Sequence, residues 1–401
     1  MSRLPTQLQP LWPVVKRGHR AGARVLGAVG RRAGGVSRGL PRSAFATAAA
    51  TAAAEPDAVT YHRLSAARVD QRSLPAGSPA AHWYFGTQAR AEVPEGFVLE
   101  LADGRLLGRH VAVVTRGGLL DAETSHYFGI ADWREHPVHW NPFPSPPERF
   151  EGTLALLAAR GTGHNYYHFL VDALPRLGML DRALPGVAPD AWVVDRSTRY
   201  QRELLALLGM GEVSIIEPAP GLSLEARRLL VPSLPNASTL VTRETTEWLR
   251  TSLPPQRTGL PERLYVTRGS APNTRRLVEE DEVFAVLERR GFVRIDPGTL
   301  SVQEQIDHFA AARVIVAPHG AALANLNFCR PGVRLLELFA PGYVNGGYWS
   351  IMSNIDDSRY RYLISSVGRA ARPGRDMTGL MQDISLGARE VELALEELLS
   401  S

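Results

Sequence analysis

The segment from Arg313 to Leu338 most constrains what this chain can fold into. An apolar, β-branched run, Val314-Ile315-Val316-Ala317, is bounded by Pro318 and reads as a buried strand. His319-Gly320 follows, then Ala321 to Phe328, rich in helix formers and closed by Arg330-Pro331-Gly332. A second apolar run, Val333 to Leu338, carries Glu337 near its end. Strand, glycine turn, helix, strand is half of a nucleotide-binding layer, where free main-chain N–H groups and the positive end of a helix dipole meet a phosphate. The same turn also serves any α/β protein in which Gly320 only relieves crowding, so the rest of the chain has to decide.

The 401 residues suggest two domains with ample core, and 44% hydrophobic with 21% charged residues is ordinary for a globular protein. The single cysteine, Cys329, excludes an internal disulfide and any cysteine-based zinc site, and its apolar neighbours mark it as buried filler. Residues 1–54 hold nine basic side chains and no acid, so the remainder has 45 − 9 = 36 basic against 41 acidic groups, a formal −5. The basicity belongs to a tail, and the chain-wide charge argues for no nucleic-acid partner. Residues 1–55 are expected to be a disordered basic tail, with an organelle transit peptide or an arm resting on anionic lipid as the other readings. No stretch has the apolar length to span a bilayer.

Strand-like runs alternate with helical ones from residue 56 to residue 250 (Phe97 to Leu101, His110 to Val114, Thr153 to Ala159, Ala191 to Val194, Val213 to Ile216). A helix is expected from His164 to Leu174, ended by Pro175. Residues 251–262, with three prolines, read as a linker, after which the alternation restarts over 263–384 and ends in a helix over 385–401. The class is α/β with parallel, doubly wound sheets: two Rossmann-like domains facing across a cleft.

Two groups of residues carry chemistry. In the first half, His164, His168 and Asp172 fall at i, i+4 and i+8 of the expected helix, with Asn165 at its start, so polar groups converge on an apolar segment. A solvated helix face is the plain alternative, and a zinc site lacks a third ligand. In the second half, Arg268, Asn273, Arg275 and Arg276 lie in a loop of small residues directly after the strand Leu264-Tyr265-Val266, suited to gripping a diphosphate. Glu337 is placed to accept hydrogen bonds from a ribose, or is an ordinary strand-end carboxylate.

The order G-x-x-H-N-x-x-H-F-x-x-D, R-G-x(5)-R-R, A-P-H-G-A-A-L-A-N and P-G-V-x-L-L-E-L, over residues 150–365, resembles glycosyltransferase family 61, in its bacterial branch linked to capsular polysaccharide biosynthesis. The resemblance implies a GT-B architecture and an inverting transfer from a nucleotide sugar, with no metal and no other cofactor. It implies that Arg268 and Arg275 face the diphosphate, that His319, Gly320, Ala321 and Asn325 hold phosphate and nucleotide, and that Glu337 meets the ribose. His164, Asn165, His168 and Asp172 then lie on the acceptor side, with Asp172 the first choice of base and His168 orienting it or serving instead. A UDP-linked donor, a glycan or lipid-linked acceptor and a cytoplasmic location, at the inner face of the membrane if the tail touches lipid, complete the expectation. A catalytically silent nucleotide-sugar-binding scaffold is the alternative. Glu279-Glu280 stands where the family often has Asn-Glu, and residues before 150 resemble nothing in it.

Overall fold

The computed structural model describes residues 12–127, 129–236, 239–269, 275–368 and 382–400. It divides into two compact units. The first comprises Met1–Ala66, Glu95–Gln201 and Met210–Leu234, the second Ala67–Pro94, Arg202–Gly209 and Pro235–Ser401. The division after Leu234 precedes the proline-rich segment expected to be the linker. That segment is instead tied down within the second unit: Gln256 N–H donates to Asp307 Oδ1 at 2.6 Å and Gln303 donates to the Pro254 carbonyl. Prolines there fix a surface loop, not a hinge.

The first unit is built on a nine-stranded mixed sheet. Ser223–Pro232, Glu148–Leu156, Ala191–Val193 and Ile215–Ile216 run parallel, as expected. The long strand Gly96–Leu107 runs antiparallel to Ser223–Pro232 and to Val59–Ser65, and turns through Gly108 (φ +69°) into antiparallel Ala112–Val114. Short turns permit only antiparallel return, so this half departs from a doubly wound layer. Phe97, Leu99, Leu101, Leu154, Leu156, Val193 and Leu229 form its core.

The disordered tail is corrected from residue 12 onward. Helix α1 (Trp12–Arg32) and helix α2 (Ala48–Ala54) pack on this unit. Composition misleads here because α1 docks through close approach rather than apolar bulk. Its Gly27 lies where a Cβ would sit 2.8 Å from the His139 ring, and its Gly30 where one would sit 2.3 Å from the Pro142 carbonyl. Arg24 pairs with Glu135. The alanine run of α2 is capped by Thr47, whose hydroxyl accepts from Ala50 N–H.

The second unit carries a six-stranded, wholly parallel sheet in the order Val293–Ile295, Arg263–Val266, Val314–Pro318, Arg334–Phe339, Arg359–Ile364, Ala76–Ser78. Its central strands, Val314–Pro318 and Arg334–Phe339, are largely apolar and almost wholly buried, as a sheet covered on both faces requires. Val283 and Leu287 of the helix Glu280–Arg289, with Leu395 and Leu398 of Ala388–Ser400, cover Val316, Leu336 and Leu363. The edge strand comes from far earlier in the chain. It fits because Gly77 lets the backbone approach the Tyr362 ring, 2.4 Å from where a Cβ would stand. Among the described residues no helix is long and apolar enough to cross a membrane.

Candidate active site

In the second unit the strands deliver side chains to their carboxyl ends, where open α/β sheets bind ligands. Arg268 follows the strand Arg263–Val266, and His319 follows Val314–Pro318. Arg268 Nη1 donates to the His319 carbonyl at 2.9 Å. This approach requires Gly320, whose backbone is extended (φ −171°) but where a Cβ would fall 2.2 Å from Arg268 Nη1. After Gly320 the chain forms a 3₁₀ helix, Ala321–Phe328, tighter than the α-helix expected there. Ala321 and Ala322 at its start are half-buried, and their N–H groups, as at any helix start, lie outside the helix's own hydrogen-bond ladder. Gly320→Ala is expected to push the Arg268 guanidinium away while leaving the fold intact, so affinity for a diphosphate anion should fall about tenfold. Titration calorimetry with inorganic pyrophosphate alongside a thermal melt checks this.

His319 is 6% exposed and packed between Phe339, Tyr343 and Tyr348, with ring centroids 5.0, 5.2 and 4.9 Å away. Its Nδ1 lies 2.5 Å from Glu337 Oε1, and Tyr360 OH donates to Glu337 Oε2 at 2.7 Å. Burial pushes the Glu337 carboxyl well above its usual range. Burial, followed by the charges of Arg275 and Arg268, pushes the His319 imidazole well below its own. The pair is therefore held neutral. Glu337 is fully buried with both oxygens engaged, so the expected ribose contact is corrected: it braces His319. Asn325 is likewise buried, donating to Gln305 Oε1 and the Ala322 carbonyl, both at 3.0 Å, and steadies the 3₁₀ helix instead of lining a pocket.

Arg275 is 7% exposed, in a left-handed conformation (φ +75°), with its guanidinium 4.9 Å over the Tyr343 ring and its N–H on Asp383 Oδ1 at 2.8 Å. Burial, and next the charge of Arg275, pushes Arg268 down to about 10. Two crowded, part-desolvated guanidiniums beside a neutral Glu337–His319 pair make a region that stabilises an anion. Asn273 lies outside the described residues. The ring cluster of Tyr343, Tyr348 and Tyr360 was missed in the sequence. The tyrosine- and glycine-rich run after Glu337 (PGYVNGGY) was its available signal.

In the first unit His168 and Asp172 come together: His168 Nδ1 lies 2.7 Å from Asp172 Oδ2, with the side chains 17% and 12% exposed. The helix differs from expectation. Asn165 caps it, accepting from Tyr167 N–H at 3.0 Å, so the exposed His164 lies outside it and off the shared face. Only Tyr166–His168 is α-helical; Phe169–Ala173 is a π turn, and Pro175 starts the next helix, Pro175–Ala183, rather than ending this one. A proline at a helix start costs no hydrogen bond, and π turns recur at functional sites. Gly161 (φ +92°) packs under the His168 ring, 2.8 Å from where a Cβ would stand. Arg176, 1% exposed, donates to the Leu157, Ala158 and Pro232 carbonyls and joins the strand ends below Asp172. Arg160, over the Tyr127 ring at 4.3 Å, and the exposed His126 lie close enough for their charges to interact, and His126 also senses Asp172. Among the described residues no group of three or more His, Cys, Asp or Glu is placed to hold a metal.

Residues 166–336, a little under half of the chain, match the model of a family of glycosyltransferases. The family is described as Glycosyltransferase 61, and the matched stretch contains His168, Asp172, Arg268, Arg275 and His319 and stops one residue short of Glu337. No curated protein matches. Solved structures similar to this chain include the Escherichia coli heptosyltransferase WaaC with ADP, 12% identical, covering 63% of this chain and 98% of that one at a TM-score of 0.30. Another is the iron-containing dodecameric glycosyltransferase TibC from enterotoxigenic E. coli H10407, 9% identical, covering 90% and 98% at a TM-score of 0.33.

Proposed function

We propose that this glycosyltransferase moves a hexosyl or pentosyl group from a nucleotide sugar, of the UDP type, to a hydroxyl of a glycan or lipid-linked acceptor. In this reading the architecture is GT-B, the second unit binds the donor, and the first supplies the base. The transfer is a single, inverting displacement in the assembly of capsular or other surface polysaccharide. The observation that carries the reading is the pair of part-buried guanidiniums at the strand ends beside a neutral His319–Glu337 pair. Arg268 and Arg275, with the Ala321 and Ala322 N–H groups, neutralise the diphosphate as the bond to the anomeric carbon breaks, and so take the part a metal ion plays elsewhere.

The acceptor hydroxyl loses its proton as its oxygen bonds to the anomeric carbon. With Nδ1 of His168 held by Asp172, Nε2 is the nitrogen that takes up this proton, and Asp172 stabilises the imidazolium that forms. Asp172 is thus the orienting carboxylate, with His168 the base. This working pair favours an enzyme over a silent scaffold. Arg268→Ala removes one charge-assisted fork from the phosphate and is expected to weaken UDP binding about 10- to 100-fold. Titration calorimetry measures it, and unchanged affinity removes Arg268 from the site.

A further inference from the structure

Helix α1 presents two unlike faces. Its inward face, Ala23, Gly27 and Gly30, is buried, with Gly22, Gly27 and Gly30 set against Trp140, His139 and Pro142. Its outward face places Val14, Val25 and Val29 in one stripe at helical spacing, 63%, 63% and 48% exposed. Gly18 and Ala21 fill the stripe between the valines, and it ends at Arg32. Arg17, Arg24 and Arg31 follow its edge at seven-residue intervals. Arg24 is committed to Glu135 and Arg31 lies 5.2 Å over the Trp133 ring, while Arg17 and Arg32 are exposed and have no acidic partner among the described residues.

An exposed valine stripe costs solvation, and nothing described in the fold uses it. No acid occurs in residues 1–54 to balance its arginines. A second copy is a poor cover, since a two-fold contact through this face sets arginines against arginines. An anionic bilayer surface meets both demands: acyl boundary for the valines and phosphate for the guanidiniums.

We propose that α1 is a docking face that seats the protein on anionic phospholipid, lying in the interface with its valine stripe inward. The seat does not depend on donor chemistry, so its failure leaves the proposed sugar transfer standing. The full chain is sedimented with vesicles of phosphatidylcholine alone or with roughly 30% phosphatidylglycerol. Binding to the anionic vesicles should be at least about tenfold tighter and should weaken several-fold between about 0.15 and 0.5 M salt.

The triple variant V14D/V25D/V29D should lose at least about tenfold of that binding while keeping its thermal midpoint and UDP affinity, because the stripe touches neither core nor pocket. R17E/R32E should lose the preference for anionic vesicles. Equal binding to both vesicle types, or undiminished binding by both variants, overturns the proposal. So does a concentration-dependent dimer in light scattering that the triple variant dissociates, which would assign the face to a second copy.

Discussion

Asp172→Asn is expected to lower turnover for sugar transfer by about 10²–10⁴-fold while UDP affinity stays within a few-fold. Asp172 Oδ2 sits 2.7 Å from His168 Nδ1, and a carboxylate there accepts the Nδ1 proton, leaving a lone pair on Nε2. An asparagine amide can donate to Nδ1 instead, which fixes the tautomer with its proton on Nε2. That nitrogen then has no lone pair for the acceptor's proton. The substitution also removes the negative charge that stabilises the imidazolium. UDP affinity should persist because Arg268, Arg275 and the Ala321 and Ala322 N–H groups all belong to the second unit, whereas Asp172 belongs to the first. His168→Gln should cost about as much, and the double variant little more than either single one, as for residues acting as a unit. Initial rates at saturating donor measure turnover, and calorimetry measures affinity. Unchanged turnover in both single variants removes the dyad from the mechanism.

The parts of this molecule that local sequence could show are those set by local chemistry. Val314 to Ala317, Val333 to Leu338 and Leu264 to Val266 are apolar runs bounded by turn residues, and each is a strand of the parallel sheet. Arg268 and His319 follow such strands directly, so their place at the strand ends was legible. What failed depends on partners distant in sequence. Glu337 looked like a ligand because it ends an apolar run, but the strand Arg334–Phe339 is buried on both faces, so any polar group there must find protein partners. His319 and Tyr360 are those partners, and neither announces itself as such. The leader looked unfoldable by apolar content, yet α1 holds through glycines that admit an imidazole and a carbonyl, contacts that composition does not weigh. The strand Ala76–Ser78 belongs to the second unit although it comes early in the chain, and the whole separation from residue 78 to residue 361 lies between it and its partner.

Acid should loosen the first unit at the seat of α1, through His136 and His139. His136 is 1% exposed, its Nδ1 accepting from Val138 N–H at 3.1 Å, and His139 is fully buried against Gly27. Burial, with the neighbouring His139, pushes His136 down to about 3. Burial, with the charge of Arg31 on α1, pushes His139 down to about 4. An unfolded histidine titrates near 6.5, so below that pH the unfolded chain binds protons that the folded chain refuses. The stability these residues allow is thus complete above about pH 6.5 and falls with pH until the folded imidazoles themselves charge, near 3 and 4. At pH 5 the loss is about 2 kcal/mol for each residue, about 4 kcal/mol together. His136→Asn keeps an oxygen where Nδ1 accepts from Val138 N–H, and His139→Phe keeps a ring against Gly27, so each removes the proton site with little change of shape. Urea titrations at pH 7 and pH 5 should show the gap in unfolding free energy narrowing by about 2 kcal/mol in either variant and about 4 in the double. An unchanged gap would mean that these imidazoles are not held neutral by burial. Because a charged His139 faces Arg31, α1 should undock before the sheet opens, and protease cleavage within Trp12–Arg32 should rise at pH 5 ahead of the main transition.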